Sequence, residues 1–257
     1  MTSLTHLTIN RQDVIDLFDQ LVQPNSFHRM LHLLGEAQMG KTHLMTRIFP
    51  QRATDLHQIH CAVLNFHSQI RVADILQNLR SRLAEAGPFA HFDQAYRDWA
   101  TRPVVEASDI QAVFAKISVT AQKADDETPK IDPMLTTHFV ADLRLLAGRP
   151  ILLLFDALDN APEPIQTWLF HSLLGQLALL RHVRVVVAGR SLPEPGGDYG
   201  PACRVHRLQP VRDEREYIAY CQNIKAALVE QSIRDFARAI DYRPGQFVGL
   251  VEAFREV

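Results

Sequence analysis

The sequence is short of most features that would place a chain outside the cell, in a bilayer or along a nucleic acid. Its three cysteines, Cys61, Cys203 and Cys221, are far apart, form no C-x-x-C pair and carry no metal-ligand spacing. That argues against a disulfide framework and for a reducing compartment. The twelve histidines are scattered and no H-E-x-x-H occurs, so they read as surface or core side chains rather than zinc ligands. No charged segment leads into an apolar stretch at the start, so no secretory signal is visible. The longest apolar runs, such as "ILLLF", fall far below the roughly 20 residues of a membrane span. Charge of neither sign dominates: the net value is −2 and the pI about 6.6, without the basic footprint of a protein that lives on nucleic acid. There is no internal repeat and no low-complexity tract. The expectation is a cytoplasmic protein with no membrane contact; the charge balance argues against a nucleic-acid partner without excluding a local basic patch.

What is present is ordinary globular composition, 47% hydrophobic and 22% charged, in 257 residues. That length suits one large α/β domain, or a core with a small helical appendage. Residues 11–22 space apolar side chains as a helix does. Buried strands are expected at 27–34, 59–68, 151–156 and 182–190, each a near-continuous apolar run of the kind that parallel strands need when both faces are covered. Helices are expected from Thr42 onward, over 71–87 with Gly87-Pro88 as the stop, over 92–100 and 107–124, over 133–148 and over 166–181. Residues 125–133 read as an exposed acidic loop, 191–201 as a long turn, and 203–211 as a last strand. From Asp213 the pattern is wholly helical. Strand–helix alternation followed by helices alone predicts a three-layer αβα sandwich with a parallel sheet over residues 1–212, in which 88–133 is an insert, and a small helical lid over 213–257.

The chemistry-bearing stretch is Gly35-Glu36-Ala37-Gln38-Met39-Gly40-Lys41-Thr42, which fits the P-loop pattern G-x-x-x-x-G-K-[ST]. Chance alone produces it about once in a hundred chains of this length, given ordinary residue frequencies. An apolar strand before it and a helix after it supply the context the pattern requires. Backbone N–H groups of the loop, from Gly35 through His43, and of the helix start then face one anion. Lys41 would reach the β/γ-phosphates and Thr42 would offer its hydroxyl to Mg²⁺. The strand "ILLLFD" delivers Asp156 at its C-terminal end, where open α/β sheets bind ligands and where a carboxylate can hold the same Mg²⁺. Asp159, just beyond, is placed to polarise an attacking water. Arg190 closes the strand "VRVVVAG", where a planar guanidinium suits γ-phosphate oxygens.

Taken in series, "INRQDVIDLF", "LLGEAQMGKTHL", "ILLLFDALDNA", "VRVVVAGR" and "LQPV…EYIAY" resemble the STAND class of P-loop NTPases, closest to bacterial members of signalling and conflict systems such as antiviral defence. The resemblance spans nearly the whole chain. It implies an AAA-like five-stranded sheet ordered 5-1-4-3-2 with a helical lid, and ATP or ADP with Mg²⁺ as ligands; no guanine-reading N-K-x-D motif stands against this. By position it implies Lys41 and Thr42 in the phosphate loop, Asp156 on the metal, Asp159 as catalytic acid and Arg190 as sensor. Arg11, in "INR", is implied to lie close to the nucleotide, and Pro244, in "YRPGQF", near the base. Three departures are visible. Gln38 stands where such loops carry a further glycine. Asp159 replaces the usual glutamate and is one methylene shorter, which predicts slow hydrolysis. STAND chains continue into a winged helix, repeats and an effector, whereas this one stops at Val257, as an excised piece, a stand-alone regulator or half of a two-protein system would.

The functional expectation is therefore an ATP-binding switch whose nucleotide state sets association with itself or with a partner effector. The alternatives are an AAA+ ATPase acting on DNA, such as a transposition helper or initiator-like clamp, and a degenerate NTPase scaffold.

Overall fold

The computed structural model describes residues 9–66, 71–101, 133–251 and 254. Five parallel strands, β1 (Met30–Leu34), β2 (His60–Asn65), β3 (Ile151–Asp156), β4 (Val183–Gly189) and β5 (Cys203–Arg207), form one sheet in the order 2-3-4-1-5. This is the expected order read from the opposite edge. The three inner strands β1, β3 and β4 are buried at every residue, which is why their sequences are near-continuous apolar runs, broken only by His32, Arg184 and the terminal Asp156, rather than alternating ones. Register sorts those side chains into two cores. Leu154, Val186 and Leu31 fall in one cross-strand row, and Phe155, Val187 and His32 in the next, on the opposite face.

Helices cover both faces. α1 (Gln12–Val22), α2 (Lys41–His43) and α3 (Phe49–His57) pack on one side, where Phe18 stacks on Phe49 at 4.3 Å. α2 and α3 are joined by a π-helical turn, Leu44–Ile48. On the other side lie α4 (Val72–Arg82), α5 (Ala90–Ala100), α6 (Pro133–Leu145), α7 (Glu163–Trp168) and α8 (Leu174–Ala178). Buried Asp142 of α6 accepts the Phe92 N–H at 2.8 Å and lies 2.6 Å from His91 Nδ1, so one helix caps the first turn of its neighbour. The expected helix at 107–124 and the acidic loop at 125–133 lie outside the described residues, except Pro133, which opens α6.

The expected last strand, 203–211, ends at Arg207 instead. One further ladder bond runs from Leu208 N to Leu34 O, and then Pro210 removes the donor that pairing would need. Beyond it, α9 (Glu214–Asn223), α10 (Glu230–Ala239) and α11 (Pro244–Val251) share a separate apolar cluster with Ile9 and Val211, centred on Tyr217 and Phe247 with rings 4.8 Å apart. Glu214 ties these helices by accepting from Arg238 Nε at 2.7 Å, Tyr242 Oη at 3.0 Å and Arg234 at 3.2 Å. Among the described residues no helix is long and apolar enough to cross a membrane.

Candidate functional site

All strands point the same way, so every loop that follows a strand opens at one edge of the sheet. The loop after β1 and the carboxylates after β3 flank the end of β4, with β1 and β3 about 10 Å apart at ordinary strand spacing. A cleft of about 440 Å³ lies there. Of the residues singled out from sequence, Arg11, Ala37, Gln38, Met39, Gly40, Lys41, Thr42, His43, Asp156, Asp159, Arg190 and Pro244 line it. Gly35 and Glu36 do not line it but form the near side of the same loop.

The loop gets its shape from two left-handed residues, Gln38 at φ +65° and Gly40 at φ +88°. The glycine adopts that conformation freely; the glutamine holds it at a cost of about 1 kcal/mol. This gives the missing third glycine a physical meaning, since position 38 is a backbone conformation that glycine suits. Gly40 then starts α2, and Leu44 N bonds back to Gly40 O at 3.1 Å. Lys41 turns onto its own loop: Nζ donates to Gly35 O and, at 2.7 Å, to Glu36 O. Burial lowers its pKa, and Asp159 and Asp156 oppose that shift, so the lysine and both carboxylates share one electrostatic neighbourhood.

Asp156 is buried at the end of β3, and Asn65 at the end of β2 donates to its Oδ2 at 3.2 Å. Ala157 follows in a left-handed conformation, φ +57°, and a 3-10 turn, Leu158–Asn160, presents Asp159. Asp159 Oδ2 accepts from Arg190 Nε at 2.6 Å and Oδ1 accepts the Arg190 N–H at 3.0 Å. Partial burial pushes the Asp159 pKa up, but these hydrogen bonds outweigh it and the net shift is downward. Arg11 is almost fully buried and donates to Met39 O at 2.9 Å and Gln209 O at 3.0 Å. It thus fastens the phosphate loop to the segment leading into the C-terminal helices. α11 meets that loop directly, Gly245 N donating to Gln38 O at 2.7 Å, and Arg243, just before the helix, pairs with Glu36 at 2.8 Å.

Several lining or supporting residues carry little sequence signal. Ile9 and Val248 add apolar wall, and Asn160 lies beside Asp159. A Cβ at Gly245 would sit 2.6 Å from Gln38 O, so only glycine permits the contact. Asn65 was findable, as the polar residue that closes an apolar strand.

Comparison with known proteins places this arrangement. No protein-family model and no curated protein matches the sequence significantly. Among solved structures, a Walker-type ATPase of Pyrococcus abyssi superposes with a TM-score of 0.53 at 15% identity, over 94% of this chain and 67% of that one. Cdc6p from Pyrobaculum aerophilum gives 0.53 at 14%, over 96% and 62%. A DNA replication initiation factor gives 0.50 at 10%, over 96% and 63%. The fold is that of the P-loop NTPases. The chain spans roughly two thirds of the length of these neighbours, and at such identities the likeness speaks for fold alone.

The cleft also suits what that fold implies. Its donors near the loop are hard oxygens, the Asp156 carboxylate and the Thr42 hydroxyl, with an ammonium alongside. Two hard oxygens suit Mg²⁺, which takes one or two donors from protein and completes its shell with phosphate and water.

Proposed function

We propose that this protein is an ATP-binding, Mg²⁺-dependent NTPase of the STAND type that works as a nucleotide-controlled switch with slow hydrolysis. The observation that carries the reading is the gathering of Lys41, Thr42, Asp156, Asp159 and Arg190 on one cleft of ligand size. Loop amides from residues 35–43 bind the phosphates. Lys41 exchanges the Gly35 and Glu36 carbonyls for phosphate oxygens and neutralises their charge. Thr42 and Asp156 hold Mg²⁺, which when bound would neutralise charge on the β- and γ-phosphates. Asp159 orients the attacking water and takes its proton, and Arg190 meets the γ-phosphate. Pro244, Ile9 and Val248 wall the end of the cleft where a base would lie. Slow turnover follows from the short Asp159 side chain and its engagement with Arg190.

The switch part of the reading rests on α11, which touches the phosphate loop through Gly245, and on Arg243 just before it. A nucleotide that reshapes that loop changes where the helical segment sits, and with it the surface offered to a second copy or to an effector protein of a signalling or defence system. Nucleotide shifts that equilibrium only through different affinities for the two arrangements. The test is the size of the purified protein in solution with ATP, with ADP and without nucleotide. A size or shape that follows ATP supports the switch; identical profiles despite measured binding remove it.

A second reading, an AAA+ ATPase acting on DNA, is favoured by the name of one structural neighbour, a DNA replication initiation factor. A salt titration of duplex binding separates the two: phosphate contacts weaken steeply as salt rises, whereas absence of binding at low salt leaves the switch.

A further inference from the structure

Two groups in the proposed site are spent on each other. Asp159 uses both carboxylate oxygens on Arg190, one on the backbone N–H and one on Nε. The seat is shaped for this. A Cβ at Gly189 would come within 3.2 Å of Asp159 Oδ1 and 2.7 Å of the end of Leu192, so the carboxylate settles against the 189–190 backbone because residue 189 has no side chain. Gly189 O in turn holds the Gly35 N–H at 3.3 Å, linking this seat to the first residue of the phosphate loop. Asp159 is 17% exposed and Arg190 59% exposed, so the acid is tucked in while the guanidinium stands at the cleft wall.

A carboxylate with both oxygens engaged is a poor acceptor for a water proton, and a guanidinium whose Nε is engaged has its side-on edge occupied, so a phosphate must displace Asp159 to use that edge. We infer that Asp159 and Arg190 mask each other until a γ-phosphate draws Arg190 away, so that competition between Asp159 and the γ-phosphate for one guanidinium sets the preference for triphosphate over diphosphate. This rests on the proposed nucleotide reading and deepens it. A diphosphate lacks the group that competes with Asp159 and leaves the pair closed. A triphosphate opens it, taking Arg190 for itself and freeing the Asp159 carboxylate for water in the same movement. Part of the triphosphate's affinity is spent separating the pair, which lowers its apparent advantage over ADP.

Calorimetric titration of the full chain with Mg²⁺ and either ADP or the non-hydrolysable β,γ-imido analogue of ATP tests this. Asp159→Asn keeps shape but removes the competing charge, and is expected to raise the triphosphate-to-diphosphate affinity ratio by about five-fold or more, the lower end of measured couplings between sites. Arg190→Gln is expected to bring the two affinities to within about two-fold of each other, since the group that distinguishes them is gone. Gly189→Ala, which unseats the carboxylate without touching either charge, should move the ratio in the same direction as Asp159→Asn and serves where that variant does not fold. A ratio unchanged or lowered in Asp159→Asn, or in Gly189→Ala in its place, overturns the masking. Wild-type protein that binds neither nucleotide overturns the nucleotide reading itself, a separate and recognisable result.

Discussion

The two ends of the sheet hold polar side chains in opposite ways. At the end where strands begin, arginines are spent on fixed backbone carbonyls. Buried Arg184 donates to Leu21 O and Gln23 O at 2.7 Å each and to Arg181 O at 2.7 Å, sealing the last turn of α1. Arg29 donates to Ala178 O at 2.8 Å, closing α8 in the same manner. At the end where strands finish, Arg11 too is buried on backbone carbonyls, but three other charged groups are held differently: Lys41 by its own loop, Arg190 by Asp159, Arg243 by Glu36. On the proposed nucleotide reading, the first end serves stability and these three contacts of the second serve exchange. Left-handed backbone does not follow that division: Gln38 and Ala157 sit at the second end, but Gln58 sits just before β2 at the first.

The contrast can be attacked by mutation, beginning with the largest effect. Arg184→Met keeps much of the apolar stem but strands several helix-end carbonyls. It is expected to lower unfolding free energy by about 3 kcal/mol, the cost of losing a buried charged hydrogen-bond network, with nucleotide affinity unchanged. Chemical denaturation with a parallel titration measures both. His32 in mid-sheet sits against Phe170 and Tyr199, and burial drives its pKa down to about 4. Its unfolded state binds the proton more readily, so stability falls as pH drops from the ordinary histidine value toward 4, by up to about 3 kcal/mol. Above that window the contribution is fully present. Melts across pH 4–7 should lose this slope in His32→Phe.

Gly245→Ala pushes a methyl group against Gln38 O. Nucleotide affinity is expected to fall about ten-fold, equivalent to about 1.4 kcal/mol, while the sheet melts as before. Equal affinity would show that α11 is not coupled to the loop. Smallest is Arg243→Ala, whose partner Glu36 is 66% exposed; it should cost less than about 1 kcal/mol in stability and fade with salt.

These contrasts also mark where sequence reading succeeds. Inner strands β1, β3 and β4 announce themselves because both faces are covered, and the P-loop because phosphate binding dictates spacing along one segment. Strand ends are blurred: β5 stops at Arg207, short of the expected 211, because pairing ends where partners or donors end rather than where apolar residues do. The order 5-1-4-3-2 came with the family resemblance; alternation alone argues only for a parallel sheet. What sequence hid was pairing in space. That Asp159 leans on Arg190, that Asn65 steadies Asp156 and that Gly245 must lack a side chain all depend on separate strands and helices arriving at one edge. No local pattern encodes such meetings.

The central claim is that the loop around residue 40 and the carboxylates after Phe155 form one nucleotide site. Titration of Mg²⁺-ATP into wild-type protein and into Lys41→Ala, with thermal melts to show that both are folded, tests it most directly. The account predicts saturable binding to the wild type and a loss of about a hundred-fold or more in the variant, the scale of a buried charge-assisted contact to phosphate. Equal affinity in the two proteins, or none in either, would contradict it.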